Sequence, residues 1–439
     1  MNIFKSQLLR AISILNGIEL LFSRNSRRCY ILGLETSCDD TGASVISQDG
    51  IVVSEKVQSQ TKFSVLFGGV LPAVARELHQ RSITQLTESV MREAGLTWTN
   101  LDAVAVTVKP GMPLSLKVGV SYAKEIAQKY TLPIIPIHHM EAHALTAQLI
   151  DPGLQFPFLV LLLSGGHGLL ALARGLEDFV LLGTALDASP GDVLDKIARR
   201  LKLNRIGDPR LNAVSGGRAI EILSAECSHS PLAFDLPCPR SQKRDCDFSF
   251  TGIHIAAERL IDRLEVEHAA ISGKRDSALL PRDLVANICA AVQLSITQLV
   301  CRRVQRAIEL TAAHSNLSAW ASLTPPTKLV VSGGVAANAF IRQGLTETAA
   351  MYGLPLVAPP PHLCTDNGVM VAWNGLLLFR AGSRIIRDPS KIDFEPRAPF
   401  GIDCRALVQE ANLKIKPIRF KHWPPRLRSS APLSDSSVQ

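Results

Sequence analysis

The apolar positions of this chain fall into short continuous runs and helical stripes, separated by glycine-rich turns. From Tyr30, YILGLETS reads as a strand, CDDTG as a tight turn, and ASVISQDGIVVSEKV as two further strands joined by a hairpin turn at Asp49-Gly50. Leu71, Val74, Leu78, Leu86 and Val90 mark one side of a long amphipathic helix over Leu71 to Ala94. Asp102 to Val108 (DAVAVTV) is nearly all apolar and predicts a strand buried on both faces. KPGMPLSL then leads into a helix reaching Ala127, and LPIIPIHH gives another strand entering a helix near His139.

The second half repeats the theme. FPFLVLLLSGGHGLLALA predicts strand, Ser-Gly-Gly turn and strand; TKLVVSGGVAANAFIRQGL predicts a buried strand, a Gly-Gly turn and a helix; LPLVAPP adds a short strand. The expected fold class is therefore α/β, with two halves that each begin βββ and continue α/β. Pro325-Pro326 and the polar stretch from Ser224 to Asp247 are expected to be surface insertions.

At 439 residues, 46% apolar and 20% charged, the chain is too long for one core and is read as about two to three compact units. The longest uninterrupted apolar stretch, Phe158 to Leu163, is far short of the roughly 20 residues that cross a bilayer, so no membrane partner is expected. The formal charge of +8 divides into +4 over residues 1–30, +4 over residues 402–439 and a neutral body. An RNA partner would thus meet local patches and the tail. The basic, nearly acid-free opening predicts a mitochondrial targeting segment over residues 1–29, with an ordinary N-terminal extension as the alternative. Nine cysteines without a CxxC pair read as reduced thiols.

Three glycine-rich turns after strands could cradle phosphate: Asp40-Thr41-Gly42, Ser164-Gly165-Gly166 and Ser332-Gly333-Gly334. Glycine there lets backbone N–H groups approach an anion. One such turn can equally be steric; three in a duplicated α/β frame point to a nucleotide cleft between two lobes. In HHMEAH, His139 and His143 lie at i and i+4 on one helical face and could share a metal. A zinc-protease reading would need glutamate directly after the first histidine. Here Met140 holds that place and Glu141 points about 200° away from His139. The pair could instead be cleft histidines that only hydrogen-bond. Asp366, in CTDNG before an apolar helix, is the most suggestive third ligand, and helix capping is its alternative role. In LDASPGDVLDKIARRL, Asp187 and Asp192 suit a helix first turn, whereas Asp195 stands a turn further in and could face ribose hydroxyls.

Taken together, these motifs resemble the tRNA N6-adenosine threonylcarbamoyltransferase family, and most closely its mitochondrial branch. The blocks GLETSCDDTG, GGVLPAVARELH, PGMPLSLKVG, HHMEAH, LLLSGGH, PGDVLDKIARRL, DFSFTGI, VVSGGVAAN and CTDNG occur in family order between about Tyr30 and Phe400. The resemblance implies two actin-like lobes, here 30–150 completed by 376–402 and 151–375, followed by a basic tail over 403–439. It implies His139, His143 and Asp366 as ligands of one divalent iron or zinc ion. Substrate-binding positions would be Leu162, Leu163, Ser164, Gly165, Gly166, Asp195, Gly217, Ser332, Gly333, Gly334, Asn338 and Thr365. The implied reaction moves a threonylcarbamoyl group from threonylcarbamoyl-AMP to N6 of adenosine 37 in the anticodon loop of mitochondrial tRNAs reading codons that begin with A, releasing AMP. A separate synthase would supply the donor, and a homodimer in the mitochondrial matrix is expected. Ala142, Ala73, Ala188, Asp192 and His254 depart from the family pattern. The competing readings are a small-molecule kinase or a non-catalytic ATP-binding protein of the same fold.

Overall fold

The computed structural model describes residues 28–212, 214–227, 234–272, 280–313 and 325–418. All but the last two residues of the expected targeting segment, and the end of the basic tail, lie outside them. The first sheet contains β1 (Tyr30–Glu35), β2 (Asp40–Ser47), β3 (Val52–Ser59), β4 (Ala103–Lys109) and β5 (Ile134–His138), in the order β3-β2-β1-β4-β5. Helices α1 (Thr61–Phe67), α2 (Pro72–Glu93), α3 (Pro113–Tyr130) and α4 (His139–Ile150) accompany it. The second sheet contains β6 (Phe158–Leu163), β7 (Gly168–Ala173) and β8 (Phe179–Thr184). After helices α5 (Pro190–Arg200), α6 (Gly216–Ser224), α7 (Thr251–Ser272) and α8 (Arg282–Ala313) come β9 (Leu329–Ser332), α9 (Ala339–Ala350) and β10 (Leu356–Val357). A single turn α10 (Pro361–Cys364), helix α11 (Gly368–Ala381), β11 (Ile402–Asp403) and α12 (Arg405–Ala411) follow.

The second sheet runs β10-β9-β6-β7-β8-β11, which repeats the first sheet's pattern with β11 added at one edge. In each half the first three strands pair antiparallel and the next two join parallel to the first. The duplication expected from the sequence is thus present. Strand β6 shows why its run is continuously apolar: Leu159, Leu161 and Leu163 enter the core beneath α5 to α9, while Phe158, Val160 and Leu162 enter the core shared with α4 and α11. A third core lies between the first sheet and helices α2 and α3. The apolar helix α8 is long enough to cross a membrane, but 89% of its most apolar window is buried inside the fold.

The lobe boundaries differ from those expected. Helix α11 starts at Gly368 and lies on β1, β2 and β4, so the return to the first lobe comes before residue 376. Three glycines permit the approach: an added Cβ would sit 2.5 Å from Gly368 O at Gly33, 2.6 Å from Gly368 N at Gly42, and 2.4 Å from Ala43 C at Gly368. Gly42 is therefore a packing residue inside β2 and not part of a phosphate turn. The start of the basic tail is also structured, since β11 pairs with β8 and Val408 of α12 is buried.

Candidate metal centre and adjoining glycine turns

His138 closes β5 and opens α4. Its Nδ1 accepts from Met140 N at 3.2 Å, capping the helix, and its Nε2 lies 3.1 Å from Pro399 O. Burial pushes this imidazole down to about 3, as suits a neutral cap. The next residue begins the helical turn that puts His139 and His143 side by side, with ring centroids 4.6 Å apart and edge to face. Asp366 arrives from the segment between α10 and α11. Its Oδ1 lies 3.0 Å from His143 Nε2 and 3.5 Å from His139 Nε2. The capping role that competed for Asp366 falls to its neighbour: Asn367 Oδ1 accepts from Met370 N at 2.9 Å.

One ligand atom from each of the three side chains falls within 4.8 Å of the other two, in a half-open position where 21% of the Asp366 side chain is exposed. Two imidazoles and a carboxylate suit a divalent ion of the zinc or iron kind, with room for further oxygen ligands. Burial alone would raise the Asp366 carboxyl, but His139 and the hydrogen-bonding His143 hold it well below its usual range. Burial opposes charge on His139 as well, yet Asp366 and Glu35 lift it to about 9. A cation bound there would take the place of that proton. Glu141 is buried and paired with Arg384 at 2.8 and 3.2 Å, turned from the cluster as the helical angle predicts.

Two of the expected glycine turns border this cluster. Leu162 and Ser332 are register partners, so the turns after β6 and β9 lie next to each other. Gly333 has φ +97°, and a Cβ there would come within 2.4 Å of Leu163 O. Gly165 and Gly166 have open space where a Cβ would be. Ser189 caps α5 and donates to Gly165 O. Behind the turn, Asp195 Oδ1 accepts from Gly217 N at 3.2 Å, joining α5 to α6. Thr365 is exposed, with its Cγ2 3.9 Å from the Cβ position of Gly334.

Other expected positions also make structural contacts. The Leu162 and Leu163 side chains are in the core, so only their backbone could meet a ligand. Asn338 caps α9 through Phe340 N and Ile341 N and donates to Gln293 Oε1 at 2.9 Å. Asp187 holds Phe250 N and Ser249 Oγ, while Asp192 pairs with Lys196 at 2.8 Å.

Three residues at the cluster were not singled out from sequence. Glu35 lies 3.2 Å from His139 Nδ1, Ser37 Oγ lies 3.1 Å from the same nitrogen, and His167 faces the cluster electrostatically. Burial, reinforced by His139, pushes His167 down to about 4. The one available signal was Glu35 itself, a charge closing the otherwise apolar strand YILGLE.

Comparison with known proteins accords with this site. Residues 51–373 match the profile of the family described as tRNA N6-adenosine threonylcarbamoyltransferase, nearly three quarters of the chain. The chain belongs to the tRNA N6-adenosine threonylcarbamoyltransferase family. It is 44% identical over 385 residues to a Mus musculus protein named tRNA N6-adenosine threonylcarbamoyltransferase, mitochondrial, covering 88% of this chain and 89% of that one. The Homo sapiens protein of the same name is 41% identical over 393 residues, covering 89% and 91%. A Cereibacter sphaeroides tRNA N6-adenosine threonylcarbamoyltransferase is 36% identical over 386 residues, covering 87% and 97%. The chain is a transferase of the tRNA-modifying class, built on two mixed β-sheets with flanking helices.

One acid beside the centre yields a pH prediction. Asp40 Oδ1 is buried without a partner, and burial, reinforced by Asp366 and Asp39 against hydrogen bonds from Ser59 and Gln60, pushes its carboxyl up from 3.8 to about 7. Below about pH 4 the group is protonated folded or unfolded. Between the two values the folded chain retains a proton that the unfolded chain releases, so stability falls as pH rises through about 7. Asp40→Asn is expected to unfold at a higher temperature than the parent at pH 8 in metal-free protein. The gain is at most on the order of 4 kcal/mol. Thermal unfolding at pH 4 and pH 8 checks this; equal differences at both would refute it.

Proposed function

We propose that this enzyme transfers the threonylcarbamoyl group from threonylcarbamoyl-AMP to N6 of adenosine 37 in mitochondrial tRNAs reading codons that begin with A, releasing AMP. The observation that carries the reading is a His/His/Asp cluster flanked by two glycine turns, Thr365 beside Gly334 on one side and His167, next to Gly166, on the other, in a chain of this family. Open backbone at Gly165 and Gly166 suits the adenylate phosphate, and His139, His143 and Asp366 would hold one zinc or iron ion. Such an ion supplies Lewis-acid stabilisation of charge developing on the carbamoyl oxygen. The protein's own share is positioning. The turns fix the leaving group, and the acceptor amine is presented from an unstacked anticodon loop. A C–N bond forms at the carbamoyl carbon, the C–O bond to phosphate breaks, and N6 loses a proton.

The names of the relatives and the basic opening of the chain support a mitochondrial location, and the matrix is the compartment proposed. Supply of the donor by a separate synthase and a homodimeric state complete the proposal. The full-length, metal-loaded protein given threonylcarbamoyl-AMP and unmodified tRNA should yield N6-threonylcarbamoyladenosine in nucleoside mass spectrometry. Absence of product, with ATP-dependent phosphorylation of a small molecule in its place, would transfer the protein to the kinases of this fold. Gly165→Ala should leave the unfolding temperature unchanged yet raise KM for the donor about tenfold, a loss of about 1.4 kcal/mol of binding. An unchanged KM would take the donor away from this turn.

A further inference from the structure

We infer that Glu35 is the positioning residue that fixes His139 for metal binding, an inference that rests on the metal-holding role proposed for the His139, His143 and Asp366 cluster. Glu35 is the last residue of β1, and its side chain is 0% exposed. Among the described residues, no lysine or arginine lies within ion-pair distance of it, and His139 is its one ion-pair partner. Its Oε1 accepts from Ser37 N at 2.5 Å, its Oε2 accepts from Thr107 Oγ1 at 2.5 Å, and the same Oε2 lies 3.2 Å from His139 Nδ1. A buried carboxylate without a strong cationic partner is costly, and a purely structural role could be filled by an amide or an apolar side chain.

The geometry gives the charge a use. A carboxylate behind Nδ1 requires that nitrogen to carry its hydrogen, which leaves Nε2, 3.5 Å from Asp366 Oδ1, as the atom that would give its lone pair to a cation in place of a proton. The same contact locks the ring against rotation and makes Nε2 a stronger donor to a cation. The arrangement is asymmetric: His143 Nδ1 is buried without a partner, so only one of the two imidazoles is braced by an acid. Thr107 and Ser37 hold the carboxylate from the far side. Backbone pairing of β1 with β4 brings Thr107 into reach, so the sheet itself sets the position of the acid.

The test is metal affinity in the full-length protein, read by Zn2+ competition and by the visible absorption of the Co2+-substituted form. Glu35→Gln keeps the shape, with its amide oxygen accepting from Ser37 N and its amide N–H donating to Thr107 Oγ1 in place of the carboxylate behind His139. It should bind Zn2+ roughly 10–100-fold more weakly and alter the Co2+ spectrum, with no loss of unfolding temperature. Glu35→Asp, which withdraws the carboxylate by one methylene, should weaken binding in the same direction and serves should the amide variant not fold. Parental affinity and an unaltered Co2+ spectrum in either folded variant would overturn the inference. Failure of the parent protein to bind Zn2+ or Co2+ at all would overturn the metal-holding reading beneath it.

Discussion

Asp366→Asn is expected to lower transferase turnover at least about a thousandfold and to strip the bound metal, while moving the unfolding temperature by only a few degrees. The asymmetry between function and stability follows from the local structure. Asp366 precedes α11, but Asn367 caps it, so the helix keeps its first-turn hydrogen bond when Asp366 changes. The amide has nearly the carboxylate's shape and can still meet His143 Nε2. What disappears is the negative charge on the Nε2 side of the two imidazoles, at 3.0 and 3.5 Å. A dication held by two neutral imidazoles alone loses its only anionic ligand and most of its affinity. His143→Gln should behave alike. Metal content by elemental analysis, turnover by nucleoside mass spectrometry and thermal unfolding form the measurement. Parental metal content with normal turnover in Asp366→Asn would remove the cluster from the mechanism, and a collapse of the fold would make its role structural.

The parts of this site that could be read from sequence are those in which local spacing fixes geometry. The i, i+4 rule placed His139 and His143 together and turned Glu141 away, and the structure gives that Glu141 to Arg384. Continuous apolar runs gave β4, β6 and β9 correctly because both of their faces are covered. What could not be read is whatever depends on a partner distant in the chain. Gly42 has the same sequence signature as a phosphate-turn glycine, but its missing Cβ accommodates the backbone of α11. Asn338 caps α9 and donates to Gln293, contacts that VVSGGVAAN by itself does not announce. Glu35 becomes meaningful only once β4 brings Thr107 and α4 brings His139 to it. Nor does GVMVAWNGLLLFRA tell which sheet the helix will cover.

That helix makes Gly368→Ala the second large effect. The added methyl would meet Ala43 C at 2.4 Å, Ala43 Cα at 2.6 Å and Ser44 N at 2.6 Å, all backbone of β2 and none able to rotate away. Relief requires lifting α11 from the sheet, which pulls Met370, Val371 and Ala372 from the core they share with Ile31 and Ala105. A cost of about 3 kcal/mol or more is expected, a fall of roughly 6–12 °C in unfolding temperature. The displacement also reaches the metal centre, because Asp366 stands two residues before the methyl and His143 holds it across 3.0 Å. Gly368→Ala should therefore lose metal affinity along with stability, even well below its unfolding temperature. Gly166→Ala, with open space at its Cβ position, is the matched control and should retain both. If Gly368→Ala keeps parental stability and metal affinity, close seating of α11 on β2 is not what places Asp366 beside the histidines.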